Sequence, residues 1–247
     1  MPHDRYFSED DLTLGKKISL SGGEWHHLVH VMRKKEKECV EIVNGKGKLA
    51  KAVICSQSHK EVFLEIVNIQ EQTTPTPPLY LAQSWIASAK IDWILEKGCE
   101  MGVSEFFFFS AEGSPPSPAS EAKQTRMRTI LISAMKQCGR LDLPKISIYQ
   151  NLSAFAARKA TFLFGDMREK APFLQHYLDT HPLQHPPCFL VGPEKGFTAA
   201  EIQFLEEKLF SSGVRLHANI LRSETAALMA LSLLAHLLSQ PCTPVPF

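Results

Sequence analysis

The sequence predicts an α/β fold in which a mainly parallel sheet carries helices on both faces and follows a small antiparallel β-barrel. Beyond residue 79, short apolar runs alternate with longer helical stretches, as is typical of strand–helix–strand units. Before residue 72, short apolar runs are separated by turn-forming residues, which indicates hairpins. The segment ThrThrProThrProPro at 73–78 cannot continue a hydrogen-bonded ladder, so we place a linker there between domains 1–72 and 79–247.

The amino-terminal barrel is predicted from three apolar runs and one turn. Runs at 40–43, 49–54 and 62–67 have the length and composition of strands. AsnGlyLysGly at 44–47 joins the first two, and Asn and Gly tolerate the positive φ that a tight hairpin needs. These residues predict a small domain of antiparallel hairpins.

The carboxyl-terminal domain is predicted as alternating strands and helices. Strands are expected at 79–82, 106–109, 145–148, 161–164, 188–191 and 214–216, and helices at 90–101, 120–138, 199–211 and 224–238. Thr198 and Glu201 have the spacing of a capping box, which predicts where the third helix begins. The last helix is apolar on nearly every face over 226–238, so we expect it to be buried all round.

Composition excludes several classes of protein. The chain has 247 residues, 44% of them hydrophobic, with a formal charge of +1, so it is not a polycationic protein. Its six cysteines show neither CxxC nor metal-ligand spacing, and residues 1–11 are charged, so we expect reduced thiols, a cytoplasmic protein, no membrane segment and no metal site. Basic residues do concentrate at 33–37 and 123–145. These segments are interpreted either as solvated surface or as contacts to phosphates.

Two loops near the carboxyl end predict a ligand pocket. ValGlyProGluLysGlyPhe at 191–197 and IleLeuArgSerGluThrAlaAla at 220–227 each follow a predicted strand and run into a helix. Open α/β sheets hold ligands at such strand ends, where helix amino ends present unpaired N–H groups. The chain contains no GxGxxG after an early strand and no GxxxxGK[ST], and Pro193 removes one N–H, so the ligand is not expected to be held by a pyrophosphate.

Five segments, in order, resemble one family. They are ArgTyrPhe at 5–7, His27 with ValMetArg at 31–33, LysIleAspTrpIleLeuGluLysGlyCysGluMetGlyVal at 90–103, GlnCysGlyArg at 137–140 with Pro144, and the two loops. The chain resembles the SPOUT methyltransferases, and among them the ribosomal RNA small subunit methyltransferase E family. The resemblance implies a trefoil knot around S-adenosyl-L-methionine, a PUA-like RNA-binding barrel, a homodimer formed through the knot region, and methylation of N3 of one uridine in 16S rRNA of the small ribosomal subunit.

The resemblance also implies the site residues. The cofactor-binding candidates are Leu163, Gly165, Val191, Gly192, Pro193, Glu194, Gly196, Leu216, His217, Ile220, Leu221 and Thr225. Arg222 precedes a helix amino end that repels cations, so we expect an anion nearby: RNA phosphate, the uracil oxygens, or a carboxylate of Glu224 or of a partner subunit. Ser223 has the position of an N-cap. Glu224 or Glu194 is the candidate general base.

Candidate RNA contacts are spread over both domains. They are Arg5, Arg33, Lys90, Lys97, Arg126 and Arg140. For Lys90 and Lys97, which share one helix face, an ordinary solvated surface explains the charges slightly better. His236 is expected to be a core or interface histidine.

Three departures from the family pattern keep other functions open. Lys195 and His217 stand where the family has glycine, and Asn219 stands where it has arginine. The alternatives are ribose 2′-O methylation of another RNA and a non-catalytic RNA-binding or ribosome-assembly protein with a degraded pocket. An unrelated nucleotide-binding α/β enzyme is the least supported, because no phosphate-binding motif is present.

Overall fold

The chain folds into two compact units. The computed structural model describes residues 5–72, 77–116 and 120–239. One unit comprises Met1–Pro75 with Leu131–Leu143, and the other comprises Thr76–Ile130 with Pro144–Phe247. The proline-rich linker predicted at 73–78 lies largely outside the described residues.

The first unit is a five-stranded sheet of mixed direction. Its strands, in the spatial order β1-β3-β4-β5-β2, are β1 (Arg5–Phe7), β2 (Lys17–Ser21), β3 (Cys39–Val43), β4 (Lys48–Gln57) and β5 (Glu61–Glu71). The predicted hairpins are present, but β1 pairs with β3 in parallel. Edge strands β1 and β2 are not paired with each other in the described residues, so the ladder is not closed as a barrel.

Two further segments complete the first unit. A short helix α1 (Gly22–His26) leads into a π-helical turn, His27–Val31. The segment Leu131–Leu143 joins this unit, although it is far along the chain. Its main chain bonds to the β3–β4 turn, with Leu143 N–H donating to the Gly45 carbonyl at 2.9 Å. The first unit therefore includes residues that a division of the sequence at 73–78 does not assign to it.

The second unit is a six-stranded, wholly parallel sheet flanked by helices, as predicted. The spatial order is β11-β9-β10-β6-β7-β8. The strands are β6 (Tyr80–Ser84), β7 (Glu105–Phe109), β8 (Lys145–Tyr149), β9 (Thr161–Gly165), β10 (Pro187–Val191) and β11 (Ser212–Val214). The helices are α2 (Ser88–Glu100), α3 (Glu121–Cys138), α4 (Leu174–Thr180), α5 (Ala199–Glu207) and α6 (Ser223–Leu238), with a 3₁₀ turn at Leu152–Ala157.

Four consecutive phenylalanines on β7 show why both faces are covered. Successive side chains of a strand point to opposite faces. Phe107 and Phe109 pack with Leu205 of α5 and its neighbours. Phe106 packs so closely on α2 that a Cβ at Gly98 would lie 2.7 Å from its ring. All four rings are fully buried, as expected for a strand with helices on both sides.

The last helix differs from its prediction. Ala227, Ala230, Leu231 and Leu234 of α6 are buried, but Ser232 and His236 are exposed. Helix α6 packs against α2, β6 and β10. Because Ser232 and His236 are exposed in the part of the chain that the structure describes, burial on all sides is not reached within this chain.

Two element ends also differ. Strand β11 lies at Ser212–Val214, two residues before the predicted position, and α5 ends at Glu207 instead of residue 211. Phe210, which follows α5, has φ of 49°, a left-handed conformation that stops a right-handed helix. Among the described residues, no helix is both long and apolar enough to span a membrane.

Candidate functional site

A cavity of about 490 Å³ opens at the carboxyl ends of β9, β10 and β11. Parallel strands end at the same sheet edge, so the loops that follow them converge there. Ten of the twelve predicted cofactor residues line it: Gly165, Val191, Gly192, Pro193, Glu194, Gly196, Leu216, His217, Ile220 and Leu221. The other two are elsewhere, since Leu163 is fully buried inside β9 and Thr225 is exposed on α6.

The loop after β10 makes a tight turn. The Gly196 N–H donates to the Pro193 carbonyl at 2.9 Å, and Gly196 has φ of 77°, which only glycine adopts easily. Lys195 is not among the described residues with positive φ, so this substitution for glycine does not strain the turn. Thr198 and Glu201 then form the predicted capping box, with the Thr198 N–H 2.9 Å from the Glu201 carboxylate.

Ser223 connects the two loops, and does not cap the helix. Arg222 is the N-cap residue of α6 and provides no side-chain cap. The Ser223 hydroxyl donates to the Gly192 carbonyl at 2.8 Å and accepts from Gln83 Nε2 at 2.9 Å. Neither role is evident from the sequence, because a serine before a helix is a common N-cap and Gln83 lies in an otherwise apolar strand.

The loop before α6 forms an apolar wall with unpaired main-chain donors. Asn219 N–H donates to His217 Nδ1 at 3.0 Å, which holds this histidine at the cavity rim. In the described part of the chain, the N–H groups of Ile220 and Leu221 have no acceptor. Ile220 is 84% exposed. Apolar surface with a few main-chain donors is the usual lining of a small-molecule site.

Asp166 is a second residue that sequence analysis missed. It follows β9, lines the cavity and is only 6% exposed. Its carboxylate accepts from the Arg168 guanidinium, at 2.7 Å to Nη2, and bonding to Asp166 and Glu206 raises the pKa of that guanidinium. A Cβ at Gly213 would collide with the Asp166 carboxylate, so β11 can approach only with glycine at that position. No motif in the sequence identifies Asp166.

Lys90 lies between two carboxylates, one from each loop region. Its ammonium is 2.5 Å from Glu194 and 3.4 Å from Glu224. The bond to Glu194 raises the pKa of Lys90, and the same bond lowers the pKa of the Glu194 carboxyl. Glu224 Oε2 is buried and has no hydrogen bond among the described residues. Lys90, predicted as an RNA contact, is thus engaged at the cavity in this structure.

Arg222 is exposed, and its side chain has no ion pair or hydrogen bond to any described residue. The intrachain salt bridge with Glu224 that sequence analysis left open is not formed, because Lys90 lies beside that carboxylate instead. Arg222 still contributes to lowering the pKa of Glu194 through its charge. Arg222 itself is not among the residues that line the cavity, but its charge acts on Glu194, which is, and its guanidinium is available to an anion there.

The other predicted RNA contacts mostly have acidic partners. Arg5 bonds Glu41 at 2.9 Å, Arg126 bonds Asp92 at 2.5 Å, Arg140 bonds Asp142, and Lys97 bonds both Glu96 and Glu100 at 2.8 Å. Arg33 is exposed, has φ of 54° and has no such partner in the described ranges. Those ranges also contain no cluster of three or more side chains that could hold a metal.

Comparison with known proteins identifies the family. An RNA methyltransferase domain model matches residues 72–235, and an RNA methyltransferase PUA domain model matches residues 20–67. The chain is 27% identical to the ribosomal RNA small subunit methyltransferase E of Bacillus subtilis, over 94% of this chain and 96% of that protein. It is 29% identical to the Aquifex aeolicus protein of the same name, over 93% and 97% of the two chains.

A solved structure supports the same likeness. The crystal structure of a ribosomal RNA small subunit methyltransferase E from Neisseria gonorrhoeae, bound to S-adenosyl methionine, superposes with a TM-score of 0.83 at 28% identity. The match covers 95% of this chain and 97% of that one. The likeness spans both units and both loops of the cavity. The chain therefore belongs to the RNA methyltransferase family, and it resembles the ribosomal RNA small subunit methyltransferases E along nearly its whole length.

Proposed function

We propose that this protein is an S-adenosyl-L-methionine-dependent methyltransferase that methylates N3 of a uridine in 16S rRNA of the small ribosomal subunit. The observation that carries the proposal is the cavity at the carboxyl edge of the parallel sheet, which ten of the predicted cofactor residues line. Relatives that match over almost the whole chain are named for methylation of small-subunit rRNA, and one was solved with the cofactor bound.

The residues of the cavity fit this cofactor. Phe189, Val191 and Leu216 provide an apolar wall for a purine ring. The unpaired N–H groups of Ile220 and Leu221 can bond to ring nitrogens or ribose oxygens, and the Asp166 carboxylate can accept from a hydroxyl or an amine. About 490 Å³ lies within the range of pockets that hold ligands of this size.

The reaction needs alignment and charge stabilisation more than covalent help from the protein. When bound, the cofactor supplies a methyl group on a sulfonium, an electrophile that a deprotonated uracil N3 can attack in line. Arg222, exposed and without a partner in the described chain, can stabilise the negative charge that the uracil oxygens carry as N3 loses its proton. The loop after β10, fixed by Ser223, keeps the acceptor and the methyl group aligned.

Glu224 is the better of the two candidate bases. Glu194 is bonded to Lys90, and this bond holds its pKa below the ordinary value, which weakens it as a proton acceptor. Glu224 has an oxygen that is buried and without a hydrogen bond in the described residues, although Lys90 lies 3.4 Å away. We assign proton removal to Glu224 and a positioning role to Glu194.

The departures from the family pattern leave the cavity open. Lys195 fits its turn without positive φ, and His217 lies at the rim, where it accepts the Asn219 N–H. A degraded pocket would be filled or collapsed, so these contacts favour an active enzyme over a non-catalytic RNA-binding protein. Ribose 2′-O methylation remains the alternative reaction, and only the position of the methyl group on the product distinguishes the two.

The trefoil knot, the homodimer and the cytoplasmic location belong to the same proposal. The bond from Ser223 to Gly192 holds the start of α6 against the loop after β10, as threading through that loop requires. Half-buried apolar side chains at Met229, Leu233 and Leu237 lie four residues apart on α6, which gives a face for a second copy. None of the five cysteines in the described residues forms a disulfide, as suits a reducing compartment.

A methyl-transfer assay tests the function. Labelled cofactor is incubated with small ribosomal subunits from a strain that lacks this protein, and the modified nucleoside is identified by mass spectrometry. We expect N3-methyluridine in 16S rRNA. A methylated ribose would support the alternative reaction. Absence both of transfer and of any heat on titrating the cofactor into the protein would support the non-catalytic function.

A further inference from the structure

A second groove, of about 720 Å³, lies at the opposite end of β9 from the cofactor cavity. Thr161, the first residue of β9, lines the groove, whereas Gly165, the last, lines the cavity. At the rise of a strand these residues are roughly 13 Å apart. The groove therefore cannot present a group to the transferred methyl, and any ligand in it is held for another purpose.

The groove is basic. Its lining includes Arg158, Lys159, His181, His185 and Lys208 and, among the described residues, no aspartate or glutamate. Arg158 is engaged by Glu105 at 3.0 Å. The side chains of Lys159 and Lys208 are exposed and have neither an ion pair nor a hydrogen bond to a described residue. Two uncompensated ammonium groups on one concave surface attract an anion.

Phe210 at the rim has a conformation that its own packing does not explain. After the end of α5, the Ser211 N–H donates to the Leu205 carbonyl at 2.9 Å, and Phe210, just before Ser211, has the left-handed φ of 49°. Glycine is the favoured residue there, and a bulky side chain is strained. The ring is 85% exposed, so burial within the chain does not offset this strain. Strain of this kind at an exposed position points to a function for the ring.

A second flat surface lies in the same groove. The rings of Tyr177 and His181 stack with centroids 4.4 Å apart and planes 2° from parallel. The Tyr177 hydroxyl is 2.8 Å from that of Ser212, which fixes the orientation of the pair. The groove thus combines free cations with aromatic surfaces of defined orientation.

We propose that this groove binds a single-stranded segment of RNA, with phosphates on Lys159 and Lys208 and a base stacked on Phe210. Positive grooves with aromatic side chains are how proteins hold single strands without reading their sequence. Lys208 also follows the carboxyl end of α5, where a cation suits the helix dipole. That explanation does not extend to Lys159 or to Phe210. The proposal rests on the RNA substrate proposed above and adds a contact remote from the reacting base.

The role of the charges is tested by measuring how a uridine-rich single-stranded oligonucleotide binds to the full-length protein. Fluorescence anisotropy detects the binding, without cofactor and at several salt concentrations. For the double variant Lys159→Gln/Lys208→Gln we expect weaker binding. Its slope of log affinity against log salt should be smaller by about 1.4, since each phosphate contact to a single strand contributes about 0.7. Lys170→Gln removes an exposed lysine outside both cavities and should leave the affinity within twofold of wild type.

Phe210→Asn tests the stacking. Asparagine tolerates positive φ, so the variant should unfold at the same temperature as wild type or higher, while RNA affinity falls at least about fivefold. Unchanged RNA affinity in both the Phe210 and the double-lysine variants would overturn the proposal. Displacement of the RNA by uridine monophosphate, or by an acidic peptide of equal charge, would also overturn the proposal. Loss of methyl transfer with groove-dependent RNA binding intact would count against the proposed function and not against the groove.

Discussion

At the scale of single residues, charge placement around the cavity separates two cations that look alike in the sequence. Lys90 is held by Glu194 at 2.5 Å, whereas Arg222 has no partner in the described chain. A cation that is already neutralised can position the loops but adds little to the stabilisation of a new anion. The free guanidinium of Arg222 can stabilise negative charge on the uracil that accepts the methyl group.

Arg222→Ala should therefore impair chemistry and not cofactor binding. We expect the rate of methyl transfer at saturating substrates to fall about 100-fold or more, the usual effect of removing one donor to a developing oxyanion. Calorimetry should give a wild-type cofactor affinity, and Arg222→Lys should retain part of the activity because it keeps the charge. A parallel loss of cofactor affinity in Arg222→Ala would contradict the assignment.

Lys90→Met should change the titration of Glu194. In the wild-type protein the Lys90 ammonium holds the pKa of Glu194 below its ordinary 4.5, so this contact stabilises the fold above that pH and is lost as the pH falls through the lowered pKa. In the variant, the pKa should return upward toward the ordinary value. Carboxyl NMR of Glu194 measures this pKa in the wild-type protein and in the variant. Lys97→Met is the control, because Lys97 is on the same helix but bonds Glu96 and Glu100. Identical titration curves in wild type and Lys90→Met would refute the contact.

At the scale of elements, β6, the loop after β10 and α6 are joined by one buried hydroxyl. Gln83 donates to Ser223, and Ser223 donates to Gly192. These three elements come from distant parts of the sequence, so the bond fixes the cavity before any ligand enters. The sheet supplies the edge, and this hydrogen-bond chain sets the distance between the two loops.

Ser223→Ala should destabilise the protein by about 1–3 kcal/mol, because it leaves the buried Gly192 carbonyl without its donor and removes one of the two acceptors of Gln83 Nε2, which keeps only the Ser84 carbonyl. Ser232→Ala is a matched control in the same helix, since Ser232 is exposed and its loss should change stability by less than about 0.5 kcal/mol. Urea unfolding measures both. Equal effects of the two substitutions would show that the buried bond contributes nothing.

At the scale of the whole molecule, the partly uncovered apolar face of α6 suggests a second copy. If the proposed homodimer uses this face, Leu233→Glu introduces a charge into the interface and should shift the protein toward monomer. Light scattering after size exclusion gives the mass. Ala200→Glu, at an exposed position in the first turn of α5, is the control and should keep the wild-type mass. A dimer that withstands the Leu233 substitution would exclude this face as the interface.

The sequence predicted most of the elements and the place of the pocket. Strand β7 and its neighbours could be recognised because apolar runs between helices leave little choice but a buried parallel strand. The capping box located the start of α5 because it depends only on Thr198 and Glu201, which are three positions apart. Asp166 and Gln83 could not be found in this way, since each is a lone polar residue whose partners are distant in the sequence.

The sequence by itself determined the local structures of this protein: a sheet domain of hairpins, a parallel α/β domain, and two loops that follow strand ends and run into helices. Their causes are periodicity, turn chemistry and capping, which act over a few residues. Only the tertiary structure decided that Ser223 bonds to Gly192, that Lys90 rather than Arg222 lies beside Glu224, and that Ser232 and His236 of α6 are exposed among the described residues. These contacts depend on which residues, distant in the sequence, meet when the helices pack on the sheet. No local sequence pattern indicates them.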